Sequence, residues 1–405
     1  MAILFLIVFV DLVGFGLIIP LLPFYGEHFH ATPATVGALM AIYSLAQFVA
    51  APIWGRLSDR IGRKPVLALS LAGATLSYLW LAFAHELWML FAARALGGFM
   101  AGNIATAFAY VADITTPANR AKGMGMVGAA FGLGFIFGPA IGGVLAGHDP
   151  ANADYVTPAL VAAALSGTAM LLTLVLLPES LAKDVREAHA ALPRRNRWQM
   201  LAEALRRPGV GRLILLAFLS TFVFAGMETT FAMWSRRQFG WGPAQNGWLF
   251  AFIGLISAGV QGGLVGRLAR RFGEPRLISS GAVLLALGML LIPMAIHPAL
   301  LWPAMLVVAL GFSLMTPSLN SMVSLSAGSG VQGGMMGVTR SATTLARVLG
   351  PGFAGLVFEF LGRDWPFFTG AAIMAAVLVL ALGAISSRPA AEPGELTGPP
   401  HPSRR

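Results

Sequence analysis

The chain has 405 residues, of which 57% are hydrophobic and 11% charged, with a mean hydropathy of +0.76. A soluble domain carries roughly one-quarter charged residues, so most of this chain is solvated by lipid rather than water. Its formal charge of +10 raises nucleic-acid binding, and its lack of cysteine excludes disulfides, thiol chemistry and cysteine-ligated metals.

A helix crosses the hydrocarbon core with about 20 mainly apolar residues. Twelve such stretches follow one another, at 2–24, 34–55, 65–84, 88–110, 122–147, 157–178, 211–234, 245–266, 275–296, 299–323, 333–360 and 365–386. The first could be taken for a cleaved signal peptide. It lacks a basic n-region, carries Asp11 and precedes eleven more spans, so a retained helix is expected.

The pattern predicts an all-α membrane protein of twelve transmembrane helices in two six-helix pseudo-symmetric halves. Residues 1–178 form the first half and 211–386 the second. Residues 179–210 between them read as an amphipathic linker at the cytoplasmic membrane surface. Residues 387–405 are Pro-rich and polar, with too little apolar surface to offset the cost of ordering, and are expected to be a disordered cytoplasmic tail.

The basic residues fix the expected topology. Of 27 Lys and Arg, 21 fall in the loops after even-numbered spans, in the linker including Arg212 at its edge, and in the tail. Only Arg236, Arg237 and Arg363 fall on the other side, and three lie within spans. The positive-inside rule then puts both termini and the linker in the cytoplasm. The basic balance is a matter of topology, and no nucleic-acid partner is expected.

In chain order, span 1 carries Asp11 in "DLVGFGLIIPLLP", about nine residues or 14 Å from the inner face at 1.5 Å per residue. Between spans 2 and 3 stands "GRLSDRIGRKPV", with Gly55, Asp59, Arg60, Gly62 and Arg63. Asp59 is placed to meet a helix N-terminus of the other half, and Arg63 lies one helical turn from it. Gly55 is expected to let neighbouring spans approach. Span 4 carries Arg94 in "RALGGFMAG" and ends near Asp113.

Span 5 reads "GMGMVGAAFGLGFIFGPAIGG". Gly128 and Gly132 form one four-residue row, Gly134, Gly138 and Gly142 another, and Pro139 beside Gly143 is a point for bending. Its opening fits a G-x-G-x-x-G pattern, but no strand precedes it, so a nucleotide site is rejected. Span 7 carries Glu228, the second half's acid well inside a span, and span 11 carries Arg340 and Arg347, seven residues apart on one face. Ionisable groups in spans mark pathways or partners. A static Asp11–Arg94 pair, and Glu228 as a fixed partner of Arg340 or Arg347, are the plainer alternatives.

The halves repeat in the same order. "GRLSDRIG" from Gly55 returns as "GRLARRFG" from Gly266, and "GPAIGG" from Gly138 as "GPGFAG" from Gly350. Parallel repeats of this kind are related by an axis along the membrane normal.

These motifs resemble those of the major facilitator superfamily. "GRLSDRIGRKPV" looks like its loop signature, and the resemblance implies a conformational latch in which Asp113 pairs with the loop's arginine. The span 1 string resembles the first-span signature of twelve-span drug:proton antiporters. Arg94 matches an arginine signature those families associate with proton transfer, with Gly97 where glutamine is common. The span 5 string resembles the antiporter signature of drug exporters. Over residues 1–180 the chain is similar to bacterial tetracycline:proton antiporters; Ser77 and Ser257 stand where tetracycline-selective members carry an acid and a histidine.

The resemblance implies proton-coupled efflux by alternating access, with Asp11, Arg94 and Glu228 in coupling. It implies an amphiphilic or drug-like small molecule, protons and the lipid bilayer as partners, no cofactor beyond the proton gradient, and a monomer in a bacterial inner membrane. A solute:proton symporter of the same fold is the alternative. G-x-S-x-G, H-E-x-x-H and clustered acids are all missing, so an enzyme is not expected.

Overall fold

The computed structural model describes residues 1–181, 208–326 and 332–386. Residues 182–207 of the linker and the tail lie outside the described residues, and with them the expectations of surface binding and disorder. Every described element is helical.

Helices run further than the apolar stretches that announce them. Span 2 is Pro33–Ile61, ended only by Gly62, whose φ of 107° is open to glycine and strained for other residues. Arg56, Asp59 and Arg60 therefore ride on the last turns of this helix, and the expected loop shrinks to one residue. The repeat does the same: span 8 continues to Phe272 and turns at Gly273, φ 80°. Span 7 likewise extends to Phe239, so Arg236 and Arg237 lie on the helix.

Among the described residues eleven helices are long and apolar enough to cross a membrane. The twelfth long helix, Gln332–Phe360 (span 11), is poorer in apolar residues because Arg340, Ser341, Thr343, Thr344 and Arg347 line one side of it. Its polar face is turned to an internal cavity, so a helix that fails a hydropathy test still belongs to the bundle. Outward faces are apolar: Leu76, Val175, Val379 and Ile296 are well exposed, as expected where lipid replaces water.

Three spans are interrupted. Span 1 breaks between Ala2–Ile18 and Leu22–His28, where Pro20 interrupts the hydrogen-bond ladder. Span 4 breaks between Leu87–Met100 and Asn103–Ile114, and span 8 passes through a π-helical turn at Val260–Leu264, rich in glycine. Ile19, Pro20, Ala101, Gln261 and Gly262 at these breaks all line the cavity, where irregular backbone finds polar surroundings.

Within the first half span 5 packs on span 1, and within the second span 11 packs on span 7. Between halves, span 2 meets span 11 and span 5 meets span 8. Those two seams are V-shaped. At the end away from Gly62, a Cβ on Gly143 would lie 2.7 Å from the Pro243 carbonyl oxygen and one on Gly355 would lie 2.5 Å from the Pro33 carbonyl oxygen of span 2. Midway, a Cβ on Gly132 would lie 3.5 Å from Ala258. Toward the other end Gly55, Gly125, Gly128, Gly262 and Gly337 would meet nothing within 4 Å. The bundle is sealed at one end and open at the end that carries the basic turns. Gly55 thus holds no close approach in this conformation, contrary to expectation, because the seam has already diverged at its level.

Candidate functional site: a charged cavity between the halves

The divergence leaves a cavity of about 1680 Å³ lined by both halves. Its charged lining residues are Asp11, Arg94, Glu228, Arg340 and Arg347. All five ionisable residues singled out within spans thus face one space.

Asp11 and Arg94 do not form the ion pair considered from sequence. Asp11, 6% exposed, accepts hydrogen bonds from Ser166 Oγ at 2.7 Å and from Asn103 Nδ2. The break in span 4 brings Asn103 to span 1, and Ser166 reaches it from span 6. Neither was singled out in the sequence. A lone serine among the alanines of span 6 and an asparagine just past the Ala101–Gly102 break were the available signals.

Arg94, 4% exposed, stacks instead on Tyr43 of span 2, its guanidinium carbon 4.2 Å from the ring centroid. Its Nε is buried with no hydrogen-bond acceptor among the described residues. Gly97, one turn further, sits beneath Ser77: a Cβ there would lie 2.6 Å from Ser77 Oγ, which donates to the Ala93 carbonyl at 2.7 Å. A larger residue at Gly97 would therefore require the Ser77 hydroxyl to turn away from the Ala93 carbonyl. Ser257, in the other half, accepts from Ser313 at 2.9 Å and lines the cavity.

In the second half Glu228 Oε2 lies 3.8 Å from Arg347 Nη1, with side-chain exposures of 11% and 44%. The contact is electrostatic and too long for a hydrogen bond. Among the described residues Arg340 has no carboxylate within 4 Å. It crosses to the first half and lies over Phe108 of span 4, 5.6 Å from the ring centroid.

The span 5 glycines divide their work by face. Gly134, Gly138 and Gly142 abut Leu12, Gly16 and Leu17 of span 1 within the half. Gly143 abuts span 8 of the other half, where the Pro139 carbonyl also meets Gly247. Gly132 is in looser contact with span 8, and Gly128 lines the open cavity. One row fixes a half together while the other lies along the seam at which the halves diverge.

At the open end Arg63, 5% exposed, gathers the signature of spans 2 and 3. Its guanidinium donates to Asp113 at 2.9 Å, Asp59 at 2.8 Å and Ser58 at 2.9 Å. Glu179 accepts from the backbone N–H groups of Arg63 and Lys64, at the N-terminus of span 3 where a carboxylate is favoured. Asp113 pairs with Arg63, and the expected meeting of Asp59 with a helix N-terminus of the other half concerns residues outside those described. Residues 327–331, which precede span 11, lie outside the described residues. Arg60 is exposed on the last turn of span 2. Glu179 was not singled out in the sequence, since only the fold returns the end of span 6 to the start of span 3.

At the sealed end, charges join the halves. Glu27 at the end of span 1 pairs with Arg236 at 2.9 Å and Arg237 at 3.6 Å, both on span 7. Glu359 at the end of span 11 accepts from the backbone N–H of Ala34 in span 2 at 2.9 Å.

Comparisons with known proteins agree with this architecture. The chain is 32% identical over 384 residues to the class E tetracycline resistance protein of Escherichia coli, covering 92% of each. It is 34% identical over 378 residues to the class G protein of Vibrio anguillarum, covering 90% of this chain and 93% of that one. Among solved structures, the human organic anion transporter MFSD10 superposes with a TM-score of 0.71 at 28% identity, covering 94% of this chain and 98% of that one. The profile described as Major Facilitator Superfamily matches residues 4–351, and the chain belongs to that superfamily of membrane transporters.

Proposed function

We propose that this protein is a proton-coupled exporter of drug-like amphiphiles that works by alternating access. The observation that carries the proposal is the placing of two carboxylates, Asp11 and Glu228, in one cavity between halves sealed at one end and open at the other. A carboxylate in the middle of a span is costly unless it is paired, protonated or functional. The tetracycline resistance proteins of similar length and sequence support export. The basic turns at the open end support a cavity facing the cytoplasm, with both termini on that side of a bacterial inner membrane.

In this scheme a proton reaches Asp11 or Glu228 from outside, substrate leaves, and proton release inside resets the halves. Asp59, Arg63 and Asp113 hold the cytoplasmic ends of spans 2, 3 and 4 in register during the change. The protein works as a monomer, with the proton gradient as its energy source and no bound cofactor.

The Glu228–Arg347 contact favours a second reading. Protonating Glu228 releases Arg347 to another acceptor, which couples proton uptake to ligand uptake, as in a solute:proton symporter. Proteoliposomes with an imposed pH gradient separate the two by the direction of substrate movement. Under the first reading Asp11→Asn abolishes gradient-driven accumulation while downhill exchange persists. Full gradient-driven transport in both Asp11→Asn and Glu228→Gln would sink proton coupling through these residues.

A further inference from the structure

The charges of the cavity do not balance. Three arginines face two carboxylates, and both carboxylates are engaged: Asp11 by Ser166 and Asn103, Glu228 by Arg347. Among the described residues neither Arg94 nor Arg340 has a carboxylate within 4 Å. Arg94 adds a buried Nε without an acceptor. Arg347 reaches Glu228 at 3.8 Å only, and its side chain stays 44% exposed to the cavity. Protonation of either carboxylate enlarges the positive excess.

Arg94 is kept out of water without a counter-charge, which is expensive, while Arg340 and Arg347 stay exposed to the open cavity with donors free for a ligand that brings a counter-charge. We infer that the cavity is built for an amphiphile bearing an anionic group, a carboxylate or sulfonate, which the guanidinium groups of Arg340, Arg347 and Arg94 hold against an aromatic wall. The planar guanidinium fork matches such groups with paired hydrogen bonds. The three arginines are arranged in depth. Arg340 lies eight residues into span 11 from the open end and Arg347 seven residues further, about 10 Å at 1.5 Å per residue. Arg94 lines the same cavity from span 4 of the first half. Phe224 and Phe312, stacked with centroids 4.0 Å apart, line the same space and take the apolar body. A purely cationic drug gains nothing from this distribution.

The inference rests on the cavity being the substrate path of the proposed transporter, and it fixes the charge of the substrate, which that reading leaves open. The test uses the full chain purified in a neutral detergent and three probes with one aromatic body: naphthoate, naphthamide and naphthylmethylammonium. Calorimetric titration at neutral pH should rank naphthoate first, at least about tenfold tighter than the ammonium, the scale of one charge-assisted hydrogen bond. Arg340→Gln and Arg347→Gln should each weaken naphthoate by about tenfold and leave naphthamide unchanged. Retained naphthamide binding shows the variants folded. If they do not fold, the wild-type ranking decides alone. Equal or tighter binding of the ammonium, or naphthoate binding indifferent to both substitutions, overturns the inference. If the ranking holds but no probe moves under a pH gradient in proteoliposomes, the transport reading fails and the anion site stands. If the ammonium binds best and is driven by the gradient, the anion site fails and the transport reading stands.

Discussion

Tyr43 lies under the guanidinium of Arg94, which is buried. A desolvated cation over an aromatic face gains about 2 kcal/mol, and here the ring offsets part of the cost of burying the charge. Tyr43→Phe keeps the face and should support transport near the wild-type level. Tyr43→Leu should lower transport and reduce thermal stability by about 1–2 kcal/mol, read as a lower melting temperature in detergent. Equal behaviour of the two variants would remove the ring from the support of Arg94. Nothing in the local sequence links these residues, which are 51 positions apart. By contrast Arg63 and Asp59, four residues apart, were legible as neighbours and are neighbours, because helical spacing alone brings them together.

At the scale of elements, the seam between spans 5 and 8 decides which end of the bundle is closed. Gly247 allows the contact: a Cβ there would collide with the Pro139 carbonyl and lie 3.0 Å from Gly143 Cα. Backbone approach of this kind is what small residues provide between helices in lipid. Gly247→Val should therefore wedge the sealed end apart. The chain has no cysteine, so a single Cys introduced at Ile19, which lines the cavity near that end, can be labelled without background. A membrane-impermeant maleimide added on the side away from the basic turns should label it faster in Gly247→Val. An unchanged rate would mean that the seam is not what seals that end. The glycine rows of span 5 were visible in the sequence as packing devices. That one row serves span 1 and the other span 8 depends on the rotation of the helix, which spacing does not fix.

For the molecule as a whole, charge helps hold one end shut. At the sealed end Glu27 with Arg236 and Arg237 ties one half to the other. Partly exposed pairs contribute about 0.2–1 kcal/mol, enough to change a two-state ratio by up to about fivefold. Glu27→Gln should raise the population in which the now-sealed end is open, and added salt should shift the wild type the same way. Spin labels placed across that end and measured by pulsed dipolar spectroscopy would report the change as a second, longer distance. A distribution identical to wild type would show that packing at Gly143 and Gly355 holds the end without help from charge.

The sequence by itself determined the helical membrane class, the span count, the two-fold repeat and the places where chemistry is concentrated. Each of these is a sum over local properties: apolar length, basic residues in loops, glycine spacing, and acids or arginines where lipid would penalise them. It could not choose among the partners of Asp11, because Ser166 and Asn103 come from spans 6 and 4 and compete with Arg94 for the same carboxylate. Nor could it tell that Glu228 meets Arg347 while Arg340 crosses to Phe108. Those choices follow from helix rotation, from the breaks in spans 1, 4 and 8, and from the angle at which the two halves lean on one another. Only the packed tertiary structure sets these, because they are fixed by contacts between residues tens to hundreds of positions apart.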